Sequence, residues 1–182
     1  LVGYNDGANL IINSYSTCSV SGDLNVGGLV GINNAKITNS MASGSVTFTG
    51  TAPNLKWRIG GLVGDTDSSS IIYGCYATGA VTGGDSTGGL TGETEGYIQH
   101  SYATGTVIGA DDTGGFSGNS NTGYILDSYA TGSVTGANKV GGFVGNNSGG
   151  IERSYSFGAT TGTGSDVGGL AGYKSIIIVN CG

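Results

Sequence analysis

Apolar residues recur along the chain at fixed distances from pairs of glycines. A glycine pair followed by Leu or Phe occurs six times, and the starts of the copies lie 33, 28, 26, 27 and 27 residues apart. These copies begin at Gly27, Gly60, Gly88, Gly114, Gly141 and Gly168. Self-similarity at this period is typical of a solenoid, in which each repeat forms one coil and buries its apolar face against its neighbours.

A second pattern, Ser-Tyr-Ala-Thr-Gly-x-Val, follows each glycine pair after about ten residues. Residues 101–107 and 128–134 are its clearest copies. An isoleucine stands three places before every copy: Ile11, Ile37, Ile72, Ile98, Ile125, Ile151 and Ile178. The position just before the copy is occupied by Asn13, Asn39, Gly74, His100, Asp127, Arg153 and Asn180. Since Asn, Gly and Asp tolerate the left-handed backbone, we predict a corner there, a rule that Arg153 fits poorly.

Alternation along the second pattern predicts which side chains face inward. In the copy around Val81, the residues Thr78, Ala80 and Thr82 share one face, and Val81 and Gly79 share the other. We expect the Val column to point inward. We also expect the residue after each glycine pair and the seven isoleucines to form two buried columns. Each period then holds three strand-like segments.

These features predict an all-β fold, a parallel β-solenoid with about 27 residues per coil. The chain would form one domain over residues 1–182, with six coils and part of a seventh. The coils start near residues 1, 27, 60, 88, 114, 141 and 168. A helical repeat is rejected because Gly costs about 1 kcal/mol per interior helix position. A β-propeller is rejected because a blade needs about 40 residues.

The two patterns together resemble the GLUG repeat. The resemblance rests on copies such as Gly60-Gly61-Leu62-Val63-Gly64 followed by Tyr76-Ala77-Thr78-Gly79, and it extends over nearly the whole chain. That repeat occurs in large bacterial surface proteins, in adhesin-like proteins and in non-catalytic parts of some immunoglobulin A peptidases. The resemblance implies an extracellular β-solenoid and implies no activity.

Charge limits the possible partners. The net charge is −6, with six Lys and Arg against twelve Asp and Glu, and the cations are scattered. Nucleic acid is therefore not expected as a partner, and an anionic membrane surface is disfavoured. Membrane insertion is not expected either, because no apolar run approaches the roughly 18 residues of a span. A host or cell-surface protein or glycan remains, as does end-to-end self-association, since the chain begins and ends inside a repeat.

The cysteines and the single histidine do not form a recognisable catalytic pattern. Cys18, Cys75 and Cys181 lie in coils 1, 3 and 7, too far apart for an internal disulfide. Either Cys75 and Cys181 are small inward residues, or Cys18 and Cys181 form bridges between chains. His100 is expected to contact Asp127 at the surface. We therefore predict no enzymatic activity, no catalytic residue and no cofactor.

Acidic and amide side chains gather just after the glycine motif. They include Asp65, Asp67, Glu93, Glu95, Asn119, Asn121, Asn146 and Asn147. We read them as solvated turns, with Ca²⁺ binding by stacked carboxylates as the alternative. No metal ligand is assigned.

One coil carries an insertion, the loop 47–59. Thirteen residues separate Val46 from Gly60, where most coils have six. The loop contains the only Pro and the only Trp, and Lys56, Trp57 and Arg58 form a candidate binding loop. An exposed Trp beside two cations could hold a sugar ring or a partner protein. Alternatively, Trp57 folds back and covers the core.

A second candidate surface is a ladder of small hydroxyl side chains on the outward side of the Thr-Gly-x-Val strand. It is read as a flat, uncharged face, which includes Thr78, Thr82, Thr104, Thr106, Thr131, Ser133 and Thr135. The arrangement is similar to the Thr-x-Thr arrays of β-solenoid antifreeze proteins. Phe157, Ile108 and a mixed Ser and Ala middle column weaken that likeness, and Thr is in any case a good strand former.

We therefore expect a non-catalytic segment of a bacterial surface protein, acting as an adhesive or structural stalk or fibre module. Ice binding by the hydroxyl face is the first alternative. An accessory segment of a secreted peptidase or of a carbohydrate-active enzyme is the second.

Overall fold

The computed structural model describes residues 2–51, 57–175 and 178–182. Regular structure in these residues consists of 32 short β-strands, which form five parallel sheets along one stack of coils. The prediction of an all-β parallel solenoid is confirmed. We number the sheets I to V by their first strand.

Sheets I and II contain seven strands each. Sheet I consists of β1 Val2–Asn5, β6 Val30–Asn33, β11 Val63–Thr66, β16 Thr91–Thr94, β21 Ser117–Ser120, β26 Val144–Asn147 and β31 Ala171–Lys174. Sheet II consists of β2 Leu10–Ile12, β7 Lys36–Thr38, β12 Ile71–Tyr73, β17 Tyr97–Gln99, β22 Tyr124–Leu126, β27 Gly150–Glu152 and β32 Ile178–Val179.

Sheets III, IV and V contain six strands each. Sheet III consists of β3 Tyr15–Ser16, β8 Met41–Ala42, β13 Tyr76–Ala77, β18 Tyr102–Ala103, β23 Tyr129–Ala130 and β28 Tyr155–Ser156. Sheet IV consists of β4 Val20–Gly22, β9 Val46–Phe48, β14 Val81–Thr82, β19 Val107–Ile108, β24 Val134–Gly136 and β29 Thr160–Gly162. Sheet V consists of β5 Val26–Gly27, β10 Ile59–Gly60, β15 Thr87–Gly88, β20 Thr113–Gly114, β25 Val140–Gly141 and β30 Val167–Gly168.

A complete coil passes through sheets V, I, II, III and IV in that order, so it has five strands where three segments were predicted. Each of the two glycine-rich sequence patterns is split between two strands. In coil 3, Gly61 and Leu62 separate β10 from β11, and the chain bends at Gly79 between β13 and β14. Glycine interrupts a strand readily because it lacks a Cβ and adopts conformations that other residues avoid.

The main core contains the two predicted columns. The residue after each glycine pair is fully buried in five coils, at Leu29, Leu62, Leu90, Phe116 and Phe143. Leu170, in the last coil, is half-buried. Five of the seven isoleucines are buried as well, and Ile11 and Ile178 at the two ends pack against the same cluster. Both predicted columns are confirmed.

The Val column faces inward, as predicted, but lies in smaller clusters beside the main core. Val46 and Val81 pack with Val26 and Ile59, whereas Val107 and Val134 pack with Val140. Sheets IV and V therefore enclose apolar interiors of their own.

The predicted corners are confirmed at all seven positions. The φ angles there are positive, between 46° at Asp127 and 62° at Gly74, and Arg153 follows the rule with a φ of 47°. A second corner, before sheet V, was not predicted. It has positive φ at Ser86, Asp112, Lys139 and Asp166.

Glycine in the second pattern is required by the close approach of adjacent coils. A Cβ built on Gly79 would overlap the carbonyl oxygen of Gly44, and one on Gly105 would overlap that of Gly79. The same overlap recurs at Gly132 and Gly158. Wherever a preceding coil lies against this point, only a residue without a side chain permits the strand-to-strand spacing of about 4.8 Å; Cys18 takes the place in the first coil.

Candidate functional site

A ladder of buried hydroxyl and thiol groups runs through the corner that precedes sheet III. In coil 4, Ser101 Oγ donates to the carbonyl oxygen of Gln99 at 2.9 Å and accepts the N–H of Cys75 at 3.2 Å. Ser128 repeats both contacts, at 2.6 Å to Leu126 and 3.2 Å to Ser101. The ladder consists of Ser14, Ser40, Cys75, Ser101, Ser128, Ser154 and Cys181. Its hydroxyls satisfy backbone groups that the corner would otherwise leave unpaired.

Two of the three cysteines, Cys75 and Cys181, belong to this ladder. All three are free thiols; Cys75 is buried, Cys181 is half-buried and Cys18 is exposed. The expected absence of an internal disulfide and the inward position of Cys75 are confirmed. Burial raises the pKa of the Cys75 thiol to about 11.

We expect the thiols to differ in reactivity. Only the thiolate is nucleophilic, so at pH 8 Cys75 should resist a disulfide reagent while the native fold persists. Cys18 should react within minutes under those conditions. Thiol titration of the variants Cys18→Ala and Cys75→Ala, with and without denaturant, measures the difference. Equal labelling rates for Cys18 and Cys75 in the native protein would contradict the assigned register.

An ion cluster lies on the outward side of sheet I, next to the inserted loop. The Arg58 guanidinium contacts Asp65 at 3.2 Å and is also bonded to Glu93, which is 2% exposed. Asn119 donates to the other oxygen of Glu93 at 3.4 Å. The prediction of solvated turns is therefore wrong for Asp65, Glu93, Asn119 and Asn146, which lie in strands of sheet I, and Arg58 also shields Glu93 from water.

Asn147 corrects the same reading, because it is fully buried. It belongs to an inward polar column of sheet I that the sequence did not reveal, in which Asn5 Nδ2 donates to Asn33 Oδ1 at 2.7 Å. Asn33 and Asn147 each donate from Nδ2 to a carbonyl oxygen two residues later, at 2.8 and 3.0 Å. These side-chain hydrogen bonds stabilise the connection between the strands of sheet I and those of sheet II.

Within this cluster, Asp65 has a raised pKa. Burial, with the nearby charges of Glu93 and Glu95, raises its pKa from 3.8 to about 6, although Arg58 opposes this. Because the folded protein holds this proton more tightly than the unfolded chain, stability falls as pH rises from about 4 to about 6. A pKa that rises from 3.8 to about 6 corresponds to about 3 kcal/mol. Solvent screening of the partly exposed carboxylate reduces the expected loss to about 2 kcal/mol, and the loss is complete above that window.

Asp65→Asn should remove this decline, since an amide does not titrate. We expect urea denaturation between pH 4 and pH 7 to show a flatter profile for Asp65→Asn than for the unmodified chain. Asp6→Asn, at an exposed position, is the control and should keep the full decline. A profile for Asp65→Asn that parallels the unmodified chain would show that another group causes it.

The predicted binding loop is only partly described. Lys56 lies outside the described residues. Trp57 is half-buried; its ring lies 4.7 Å from that of Phe48 and packs against the cluster of Val26, Val46, Ile59 and Val81. Arg58 is held by the two carboxylates described above. In this structure Trp57 thus covers the core beneath sheets IV and V, which was one of the two alternatives for it.

The seven predicted hydroxyl-face residues are all exposed: Thr78, Thr82, Thr104, Thr106, Thr131, Ser133 and Thr135. Only the column of Thr82 and Thr135 lies on a sheet, sheet IV, where Ile108 separates them in register. The residues of the Thr78 column lie just before the bend at the glycines. The predicted single strand beneath this face is therefore wrong, because that bend divides it.

Sheet II carries an aromatic face that was not predicted. Tyr73, Tyr97 and Tyr124 point outward from β12, β17 and β22, and each is between 37% and 44% exposed. The rings of Tyr97 and Tyr124 are nearly parallel, with centroids 6.2 Å apart. Alternation around the buried isoleucines would have revealed this face, since each of these tyrosines directly adjoins one.

A second column of tyrosines stands on sheet III. The rings of Tyr76, Tyr102, Tyr129 and Tyr155 are stacked at 4.8, 4.9 and 5.2 Å, with planes within 4° of parallel. Burial, together with Tyr76 and Tyr129, raises the pKa of Tyr102. Because these rings cover each other's faces, the column presents mainly ring edges and hydroxyls to solvent.

A charged network borders the aromatic face. Arg153 donates from Nε to Asp127 Oδ1 at 2.6 Å and is also bonded to Glu152. Gln99 donates to Asp127 at 3.0 Å, and Tyr124 donates to Glu152 at 3.3 Å. Hydrogen bonds from Arg153 and Gln99 lower the pKa of Asp127 to about 2.

His100 differs from its predicted role. Its ring packs edge-on against Tyr73, with centroids 5.3 Å apart. The direct partners of Asp127 are Arg153 and Gln99, and His100 acts on this carboxyl through its charge, which helps to lower the pKa of Asp127. The longer Arg153 side chain reaches Asp127 from the adjacent coil with two nitrogen atoms.

Two further findings concern the described residues alone. Within them, no group of three or more His, Cys, Asp or Glu side chains is placed to hold a metal ion. The same ranges contain no helix that is long and apolar enough to cross a membrane.

The parallel sheets of stacked coils and the ladders between them define a repeat protein of the β-solenoid class. Within this class, the chain carries the GLUG motif: the family model for that motif matches residues 22–47 and 57–82, which are two adjacent repeats. The resemblance drawn from the sequence is confirmed there. Neither a curated protein nor a solved structure matches the chain.

Proposed function

We propose that this chain is a non-catalytic, extracellular repeat segment of a bacterial surface protein that serves as an adhesive or structural stalk. The observation that carries the proposal is the hydrogen bonding of the recurring polar residues. The serine hydroxyls that recur in five of the coils bond to backbone groups of their own and the adjacent coil, as Ser101 does, and Cys75 and Cys181 take the same place in the other two. Such groups stiffen a scaffold and are not free to act as nucleophiles.

Adhesion is tested with beads that carry the chain and beads that carry albumin. We expect the former to be retained saturably on surfaces coated with mucin, a heavily glycosylated secreted protein, or on epithelial cells. Deglycosylated mucin separates a glycan partner from a protein partner. Retention no greater than that of albumin beads on all three surfaces would contradict the adhesive function.

The absence of activity is proposed on the same grounds. We expect no turnover of peptide or glycoside substrates by the purified chain. Turnover that is abolished by His100→Ala would refute this part of the proposal, because His100 is the only histidine.

Ice binding is a second candidate, favoured by the exposure of the hydroxyl face and by its lack of charge. Interruption by Ile108, 52% exposed, and by Phe157, 80% exposed, counts against it. Thermal hysteresis of the purified chain decides between the two. Hysteresis that is lost in Thr106→Lys and kept in Ser69→Lys would establish the ice-binding function.

A further inference from the structure

We infer that the aromatic face of sheet II holds a glycan-binding site, a slot beside the ring of Tyr124 that accepts an uncharged pyranose ring. The inference rests on the proposed adhesive function and names the chemistry of its partner. The slot has a volume of about 360 Å³. Its lining includes Thr122, Tyr124, Ser148, Gly149, Gly150 and Val179.

The absence of a side chain at Gly150 lets the Tyr124 ring lean over the next coil, where the ring lines the slot. Tyr97 and Tyr124 occupy one outward column of sheet II, and the next coil has Gly150 in that register. A Cβ on Gly150 would overlap carbon atoms of the Tyr124 ring, so the ring rests directly on the glycine backbone. The ring thus forms one wall of the slot, and Val179 of the following coil contributes apolar surface. The volume lies within the range of about 300–1,000 Å³ that is usual for small-molecule sites.

The chemistry of the lining fits a sugar. A pyranose has an apolar face of C–H groups, which packs on an aromatic ring, and a rim of hydroxyls, which need polar partners. Thr122 and Ser148 supply hydroxyls, and Glu152 lies within 3.3 Å of the Tyr124 hydroxyl. One rigid aromatic wall with a few polar groups at the rim is the usual composition of a specific small-ligand pocket.

Charge selects a neutral sugar. Arg153, the cation of the adjoining network, is bonded to both Asp127 and Glu152. The surroundings of the slot are therefore net acidic, and the whole chain has a charge of −6. Sulfated or sialylated glycans would meet repulsion there, whereas an uncharged pyranose would not.

Affinity gel electrophoresis tests the site. The probes are four neutral polysaccharides (galactomannan, xyloglucan, mannan and a β-glucan) and one anionic polymer, heparin. We expect at least one neutral probe to retard the chain and heparin to have no effect. Tyr124→Ala should weaken the binding at least about tenfold. Tyr124→Phe, which keeps the ring, should bind within about threefold of the unmodified chain.

Controls separate the slot from general aromatic adhesion. Tyr173 on sheet I is 44% exposed, as Tyr124 is, so Tyr173→Ala should bind normally. Gly150→Val should abolish binding by forcing the Tyr124 ring from its place, with circular dichroism confirming the fold. Failure of every neutral probe, preference for heparin, or undiminished binding by Tyr124→Ala would each overturn the site. Retention on deglycosylated mucin in those cases would leave the adhesive function standing.

Discussion

Gly105→Ala is expected to destabilise the solenoid by about 3 kcal/mol or more. The added methyl group would overlap the carbonyl oxygen of Gly79 in the preceding coil. Neither backbone can retreat without breaking the parallel pairing on both sides, of Tyr102 with Tyr76 and of Val107 with Val81. Urea denaturation followed by circular dichroism measures the loss as a lower transition midpoint.

Gly3→Ala is the matched control. A Cβ on Gly3 meets no atom within 4 Å, and this glycine also lies in a strand of the stack. We expect a change in stability of no more than about 0.5 kcal/mol. Equal losses in the two variants would mean that glycine matters here through chain flexibility and not through close approach.

Leu90→Ala is expected to cost 2–5 kcal/mol, the usual range for a buried leucine. The side chain is fully buried in the middle of the stack, with Leu62 and Phe116 in the equivalent places of the adjacent coils. Removing it leaves a cavity that three coils would have to collapse to fill. The free energy of unfolding from urea titration gives the value.

Ile108→Ala tests whether burial explains that loss. Ile108 is about half exposed on the outward side of sheet IV, and we expect a change below about 0.5 kcal/mol. A loss at Leu90 as small as the loss at Ile108 would contradict the packing of the main core.

The stacked columns could be predicted because each depends on a residue type that returns at a constant distance. The corner at Arg153 illustrates this: the residue type argues against a left-handed backbone, yet its place in the repeat imposes one. The ladder of serines imposes it by supplying hydrogen bonds to the backbone around the corner, as Ser154 does at 2.9 Å to Glu152.

The number of strands per coil could not be read in the same way. Inward and outward side chains alternate on both sides of Gly79, and this alternation is the same whether the chain runs straight or bends there. The bend follows from the close approach of neighbouring coils, which is a property of the stack and is absent from a single repeat.

The candidate sites were less accessible to sequence reasoning. The contacts of Arg58 with Asp65 and Glu93 join a residue from the end of an insertion to two different coils. The slot at Tyr124 arises from an absence, since Gly150 differs from Tyr97 and Tyr124 in the same column. Burial of Asn147 was hidden because Asn usually indicates a turn. Each of these features depends on how unlike residues meet between coils.

The parallel pairing of every strand gives the molecule a directional response to force. Backbone hydrogen bonds between coils, such as Thr104 N–H to Ala77 at 3.0 Å, run along the axis of the stack. Tension along that axis would load the hydrogen bonds between one pair of coils at a time. Each coil of about 27 residues would lengthen the chain by about 90 Å when it detaches. A solenoid built in this way would take up a pull in a series of nearly equal steps and would lengthen before the whole fold is lost.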